Sequence, residues 1–490
     1  MGGSATRRDD TCSLRCYPPR EGSVPRVRSL FGDRVSANHA VTTSMPSIRV
    51  TLVSTYDLGR QPFGLASPAA WLQAAGIKVT TLDLSREPFE PEAFESDLVA
   101  FHLPMHTATR LAVPVIRRVR ALAPKARLCC YGLYAPPNER MLRDLGVDHV
   151  LGGEFEQALL AVASGAPPQP ATGSLPRLRF RVPERGGLPP LERYASLQTP
   201  TGRRVVGYTE ASRGCKHLCR HCPVVPVYGG RFRVVPREVV LADIRTQVEA
   251  GARHITFGDP DFFNGVGHAV AIVEALACEF PGVSYDVTIK VEHLKRHRDR
   301  LTLLRDTGCQ FVVTAVESVD DVVLARLVKG HTRADFEAVV EQCRTIGLPL
   351  TPTFIPFTPW VTLRGYFELL RTIDALQLVE HVAPIQLTLR LLIQEGSRLL
   401  ELERDALGAS LGPFDERLLV YPWVHVDPAV DRLQEAVAAV VGRGLTSSRS
   451  ELFDQLLALT ADRLGVATPR RVSDARDRAA VPYLNEPWYC

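Results

Sequence analysis

Arg213-Gly214-Cys215-Lys216-His217-Leu218-Cys219-Arg220-His221-Cys222-Pro223 sets three cysteines at a C-x3-C-x2-C spacing. Thiolate is the protein ligand of iron–sulfur clusters, and a fully ligated [4Fe–4S] cluster takes four of them. Three thiolates this close in sequence hold three irons and leave the fourth open to a small molecule. The competing reading is a zinc site with His217 or His221 as the fourth ligand, although structural zinc more often takes two separated ligand pairs. A disulfide framework is disfavoured by an odd total of 11 Cys and by the lack of a legible signal peptide.

The whole chain sets wider bounds. Its 490 residues give room for two or three domains, each with its own core. Hydrophobic residues at 45% and charged residues at 23% describe an ordinary soluble composition. A net charge of +4 spread over 58 basic and 54 acidic residues creates no field for nucleic acid. No apolar run is read as approaching the ~18 residues that span a bilayer. Unpaired thiols and an oxygen-sensitive cluster suit a reducing cytoplasm.

Along the chain, residues 1–44 lack periodicity and read as disordered, or as sequence upstream of a start at Met45. Residues 48–165 alternate strand and helix, with strands expected at 48–54, 78–84, 98–103, 126–131 and 147–151. Such βα alternation with short links argues a doubly wound, Rossmann-like parallel sheet, which binds ligands outside the carboxyl ends of its strands. Residues 166–200 read as a Pro- and Gly-containing linker. Within 201–400, strands are expected at 204–212, 254–258, 283–289, 310–316, 348–356 and 385–392. Six βα units fit a partial (β/α)6 barrel with its chemistry at the strands' carboxyl ends. Residues 401–490 read as a helical extension, with two helices over 428–465, ending in a cysteine tail.

The cysteine spacing resembles the signature motif of the radical S-adenosylmethionine (SAM) superfamily. That resemblance implies a [4Fe–4S] cluster on Cys215, Cys219 and Cys222, with SAM chelated by the open iron. One electron, from an external donor such as flavodoxin or ferredoxin, then cleaves SAM to a 5′-deoxyadenosyl radical. The substrate is a small molecule or is otherwise unknown, with neither nucleic acid nor membrane as a partner. The turn Gly258-Asp259-Pro260-Asp261 matches the segment that contacts the SAM amino group, so Gly258, Asp259 and Asp261 are its candidates. The alternative is an Asx turn capping the next helix. Glu317 is carried to a ribose hydroxyl and Lys329 to the SAM carboxylate, while Ser318 could cap the following helix. Arg390 is a candidate to face the pocket. Cys278, Cys309 and Cys343 read as buried, inert thiols.

The 48–165 layout resembles the cobalamin-binding domain that precedes the barrel in one large subgroup. Gly153-Glu154-Phe155-Glu156 is similar to the turn that ends that domain. His102, Thr107, Gly132, Gly153 and Glu154 are the cobalamin-binding candidates this implies. There is no Asp-x-His-x-x-Gly motif to supply a histidine to cobalt. Two readings stay open: a corrinoid is held and methyl transfer to carbon or phosphorus follows, or the domain keeps its sheet and has lost the corrinoid. A non-catalytic corrinoid- or zinc-binding module is the alternative of a different class. The ending Asn485-Glu486-Pro487-Trp488-Tyr489-Cys490 resembles the lead-in of radical SAM proteins with a CUAEP or CCAEP tail, where U is selenocysteine. That resemblance implies a redox role for Cys490 and continuation through a UGA codon.

Overall fold

A computed structural model describes residues 48–166, 175, 177–444, 447–471 and 481–485. The amino-terminal stretch and the tail ending in Cys490 lie outside the described residues. The described residues fall within one compact unit that begins at residue 47.

The first sheet contains β1 (Arg49–Ser54), β2 (Lys78–Asp83), β3 (Leu98–His102), β4 (Arg127–Tyr131) and β5 (His149–Leu151), all parallel, in the order 2-1-3-4-5. These strands read as unbroken apolar runs because both faces are covered. Alternate side chains enter opposite layers: Leu52 and Cys129 pack on one side, Val53 and Cys130 on the other. Helices α1 (Phe63–Ala74) and, later in the chain, Glu156–Ala163 cover the first side, and α2 (His106–Leu122) with α3 (Glu139–Asp144) covers the second. The strand order reverses between β1 and β3, so the crevice for a ligand opens beside their carboxyl ends. The helix Glu156–Ala163 is α4.

The second sheet starts earlier than expected. β6 (Ser196–Thr199) lies inside the stretch read as linker and pairs antiparallel with β7 (Gly202–Thr209). Gly202, at φ +120°, supplies the backbone that this tight reversal needs. After β7 come β8 (Ser212–Gly214), α5 (Val224–Tyr228) and β9 (Phe232–Val234), which frame the cysteine loop. Then α6 (Arg237–Glu249), β10 (His254–Phe257), α7 (Val266–Glu279), β11 (Ser284–Thr288), α8 (Val291–Arg296), α9 (Leu301–Asp306), β12 (Cys309–Glu317), α10 (Asp321–Leu327), α11 (Arg333–Ile346), β13 (Leu350–Phe354) and α12 (Leu363–Ala375) follow. Strands β7, β10, β11, β12 and β13 are parallel neighbours and form a curled half-barrel.

The sixth expected strand, 385–392, is not formed. Pro384 opens a 3-10 turn over Pro384–Leu387, and one parallel bridge, Phe357 to Arg390, is what remains of the pairing. Proline fixes φ and brings no donor, so it does not extend a ladder. Arg390 does not face the pocket: it stacks on Trp423 at 3.5 Å and bonds Asp431 Oδ1 at 2.7 Å.

The segment Phe262–Glu279 is long and apolar enough to cross a membrane, contrary to the expectation that no run approaches that length. Its Ala269, Ile272, Val273 and Leu276 instead pack in the barrel core. Cys309 and Cys343 are buried, whereas Cys278 is exposed.

The carboxyl-terminal region is not wholly helical. After α13 (Arg404–Leu407), β14 (Ala409–Leu411) and β15 (Trp423–His425) form a hairpin. The tip of that hairpin reaches the first domain: Leu419 enters its core, and the Leu418 carbonyl lies 2.6 Å from His106 Nε2. Helices α14 (Pro428–Arg443) and α15 (Arg449–Leu464) start at side-chain caps, Asp427 for the first and a Ser448–Glu451 capping box for the second. Finally β16 (Tyr483–Leu484) pairs with β6 and extends the barrel sheet.

Candidate active site

β7 delivers the chain to the cysteine loop, and the turn between β7 and β8 is held from below by Asp259. Asp259 Oδ2 accepts from Ala211 N at 2.9 Å and Oδ1 from the Ser212 hydroxyl at 2.5 Å. Both oxygens are thus engaged by the turn that leads into the cysteine loop. Gly214, one residue before Cys215, has φ +75°, and a Cβ there would lie 2.3 Å from the Tyr228 ring and 2.6 Å from Arg231 O. Only glycine suits this place.

Cys215 and Cys219 are buried and Cys222 is half-buried. Cys222 N bonds Cys219 O at 3.2 Å, closing the loop on itself. Cys215 Sγ lies 3.8 Å from Asn264 Oδ1, and Cys219 Sγ lies 3.8 Å from Lys290 Nζ. Burial, then the neighbouring Cys219 and Cys215 sulfurs, push the Cys222 thiol up to about 12. Positive charge, which a coordinated metal supplies, favours the thiolate form of Cys222. The donor set, buried and with the Lys290 ammonium beside it, fits a thiolate-ligated cluster whose overall charge is negative.

Two carboxylates at strand ends anchor the two halves of the loop through its histidines. Asp261 is fully buried and lies 2.7 Å from His293 Nδ1 and 3.4 Å from His217 Nε2. Burial opposes its charge, yet the close approach of His217 and His293 holds its carboxyl below the usual carboxylate range. It also caps the turn Phe262–Gly265 through Phe263 N, so the Asx-turn reading holds for it. Glu317 ends β12 at φ +68°, a backbone region that L side chains rarely occupy. Its Oε1 meets Lys329 Nζ and His221 Nε2, each at 3.1 Å. Burial alone would raise this carboxyl; Lys329 and His221 outweigh it and hold it at about 2. The carried pair Glu317 and Lys329 is thus brought together, bonded to each other. Ser318 is not the cap of the next helix; Asp320 is, accepting from Val322 N and Val323 N.

His331, two residues beyond Lys329, is buried with no hydrogen-bond partner on either ring nitrogen. Burial, then Lys329 and Lys290, lower it to about 4, so the ring is neutral at pH 7. Buried polar atoms are rarely left unpaired, and this one marks where a polar ligand belongs. The zinc reading also has a footing: one donor atom each from Cys215, His217 and Asp261 lie within 4.8 Å of one another.

Two cavities lie at this end of the fold, and the smaller adjoins the loop. One, of about 670 Å³, fills the half-barrel between Thr256, Asp286, Thr288, Phe311 and Thr353 of its strands and Leu452 of α15. The other, of about 210 Å³, lies between the cysteine loop and the first sheet. Leu58, Arg60 and Gly258 line both, so the two cavities meet.

Three of the five cobalamin candidates, His102, Gly132 and Gly153, line the smaller cleft. His102 packs so closely on Gly64 that a Cβ there would lie 2.1 Å from the imidazole. Burial and then the Arg213 charge lower His102 to about 3, so its ring is neutral, and Nδ1 is buried without a partner. Gly132 and Gly153 have φ +112° and +63°. The other two candidates do other things. Glu154 is buried against Arg213 Nη1 at 3.4 Å and accepts from the Tyr228 hydroxyl at 3.1 Å. Thr107 sits in the first turn of α2, half-buried and outside the cleft lining. At about 210 Å³ the cleft is below the roughly 300–1,000 Å³ of small-molecule sites, so it does not fit a corrinoid as it stands.

Arg213 is the residue that sequence reasoning missed. It bonds Glu156 Oε1 at 2.6 Å and Glu210 Oε2 at 2.7 Å, besides Glu154, and so clamps the first domain to the start of the cysteine loop. The legible signal was an acidic pair, Glu154 and Glu156, closing one domain and an arginine two residues before Cys215. Lys290 and Asn264, beside the thiols, had no such signal.

Residues 209–373 match the family model of the radical SAM superfamily. Among curated proteins, the hopanoid C-3 methylase of Methylococcus capsulatus is 25% identical over 336 residues, covering 64% of this chain and 63% of that protein. The ribosomal protein uS12 methylthiotransferase RimO of Porphyromonas gingivalis is 26% identical over 194 residues, covering 37% of this chain and 43% of its own. The chain thus spans less than two thirds of the length of these relatives. Among solved structures, the cobalamin-dependent SAM radical enzyme OxsB, with aqua-cobalamin and SAM bound, matches with a TM-score of 0.64 at 14% identity, covering 82% of this chain and 67% of that one. The fold is therefore shared across the sheet domain and the half-barrel, and the stretch that matches the radical SAM model lies within the half-barrel.

Proposed function

We propose that this radical SAM domain makes the chain an enzyme that holds a [4Fe–4S] cluster on Cys215, Cys219 and Cys222 and cleaves SAM. With one electron, the cluster and SAM supply a 5′-deoxyadenosyl radical that takes hydrogen from the substrate. The observation that carries this reading is three thiols, with no fourth cysteine in their loop, set at the carboxyl ends of a parallel half-barrel.

The chain's own residues position and exclude. Asp261 fixes the first half of the loop through His217, and Glu317 fixes the second through His221. Lys329 neutralises Glu317 and sits where a carboxylate ligand also finds its charge. His331 offers an unpaired donor or acceptor beside them. The larger cavity, within the usual volume of ligand sites, takes the substrate and keeps water from the reacting centre.

A second part of the proposal concerns the first domain. The likeness to OxsB and to a methylase favours a corrinoid at the cleft lined by His102, with methyl transfer as the outcome. The cleft must widen for this, so no step is assigned to it. The unreacted electron comes from outside the chain, and the cluster needs a reducing compartment such as the cytoplasm. The finer assignment, to the family with a CUAEP or CCAEP tail, is supported by the residues leading to Cys490.

The enzyme reading is tested by anaerobic reconstitution with iron and sulfide, then incubation with SAM and dithionite. Formation of 5′-deoxyadenosine that disappears in Cys222→Ala is expected. Intact SAM in a preparation that has taken up iron would overturn the reading. Adding hydroxocobalamin tests the second part: a corrinoid band that survives gel filtration is expected, and its loss leaves the first domain as a scaffold.

A further inference from the structure

Much of the larger cavity is apolar, with Phe311 and Val313 on the strand side and Val441 and Leu452 on the helices behind it. Asp286, in the middle of β11, is the one carboxylate among the described residues that line it. It is 3% exposed, so water does little to solvate its charge.

Its neighbours hold one oxygen and leave the other open. Thr256 Oγ1 donates to Asp286 Oδ1 at 2.6 Å, and His254 Nε2 lies 2.8 Å from the same oxygen. Behind His254, Nδ1 lies 2.8 Å from Ser284 Oγ, which accepts from Arg204 Nη1 at 3.0 Å. With Arg204 as donor to Ser284, the Ser284 hydroxyl turns its own hydrogen to His254 Nδ1. His254 then carries its hydrogen on Nε2 and gives it to Asp286. The His254 ring is fully buried and stacks on Phe311 at 6.3 Å, which fixes its plane. Every donor thus converges on Oδ1. Among the described residues Oδ2 has no partner, and it is open to the cavity. The cations that also line the cavity are engaged by other groups: Arg60 lies over the Tyr208 ring at 5.1 Å, and Arg449 donates to Glu380 O.

We propose that Asp286 Oδ2 anchors the protonated amine of the substrate, which is a primary amine with an apolar body. The inference deepens the radical SAM reading by naming the substrate class, and rests on that reading for the reaction. A buried carboxylate with one free oxygen takes an ammonium best, because the ligand brings both a donor and the missing charge. Thr288, two residues on and on the same face of β11, lines the cavity as well and gives the ammonium a second acceptor. Asp286 precedes Lys290 by four residues, roughly 13 Å of extended chain. Lys290 Nζ in turn lies 3.8 Å from Cys219 Sγ. The amine end therefore sits deep in the half-barrel, and the apolar body runs along Phe311 and Val313 toward the carboxyl ends of the strands.

The test measures binding to the full reconstituted chain by titration calorimetry with three probes of one shape: phenylbutylamine, phenylbutanol and phenylbutyrate. The amine should bind about tenfold or more tightly than the alcohol, and the acid more weakly than either. In Asp286→Asn the amine should fall to the affinity of the alcohol. Thr288→Lys supplies an ammonium from the chain itself and should also remove the preference for the amine. It decides the matter if Asp286→Asn does not fold. Equal binding of amine and alcohol, a preference for the acid, binding of none of the three, or an amine preference that survives in both variants would overturn the proposal. The same preparation, incubated with SAM and dithionite, keeps the two readings apart. Intact SAM there locates the failure in the radical chemistry, whereas 5′-deoxyadenosine without amine preference locates it at Asp286.

Discussion

Single residues around the thiols carry opposed burdens. Glu317 and Lys329 are both buried, and each is tolerable because of the other. Removing one leaves a buried unpaired charge, which typically costs about 3–5 kcal/mol. Lys329→Met should lower the denaturation midpoint by an amount of that order, and Glu317→Gln in the same chain should restore much of it. An unshifted midpoint in the single variant would show that the pair is not closed in solution. The sign of the pH dependence follows from the depressed Glu317 pKa. Its contribution is present above the ordinary glutamate range of about 4.5 and is lost as pH falls toward about 2. Gly214→Ala places a methyl into the Tyr228 ring at a left-handed backbone position, so iron uptake should fall sharply even where the chain folds. Full iron content in that variant would contradict the geometry of the loop. The C-x3-C-x2-C spacing was legible because it is local. The separate fates of Asp259 and Asp261 were not: side chains two apart after a strand end turn to different neighbours, and no spacing rule says which oxygen a distant Ala211 N will claim.

At the scale of elements, the βα alternation of the first domain was readable because strands buried on both faces become continuous apolar runs. The half-barrel was readable through β13 for the same reason. The segment 385–392 has the composition of a strand, and Pro384 at its entry prevents the ladder from forming. β6 escaped notice because four residues beside a turn carry little pattern. The Arg213 clamp joins α4 to the segment between β7 and the cysteine loop, 57 residues further along the chain, so no local period reports it. Arg213→Met leaves Glu154, Glu156 and Glu210 without their cation. Hydrogen exchange at 154–156 and 210–214 should rise together in that variant, since one contact holds both segments; a rise in one alone would sink the clamp. The loop after β1 adds a pH response. Burial raises Asp57 to about 7, with Asp83 and Glu210 adding to the rise and Arg60 opposing it. A carboxyl raised in the folded state favours folding below its ordinary pKa near 3.8 and loses that contribution as pH rises through about 7. Asp57→Asn should flatten the decline of stability between pH 3.8 and about 7, which is the window those two values bound. An identical slope in both chains would remove Asp57 as its source.

Across the whole molecule, two domains and a returning hairpin enclose one reaction space. The smaller cleft belongs to the first sheet, the larger cavity to the half-barrel, and Leu58, Arg60 and Gly258 stand between them. Sequence alone suggested two consecutive domains; the meeting of their cavities depends on α4, Arg213 and the hairpin tip at Leu419, which only the packed chain brings together. The central claim is the identity of the metal centre, because Cys215, His217 and Asp261 also form a set that zinc accepts. Metal analysis of the anaerobically reconstituted chain decides between them. About four irons per chain, lost when Cys215, Cys219 and Cys222 are all replaced by Ala, is the predicted result. Stoichiometric zinc that survives reconstitution, with iron at background, would contradict it.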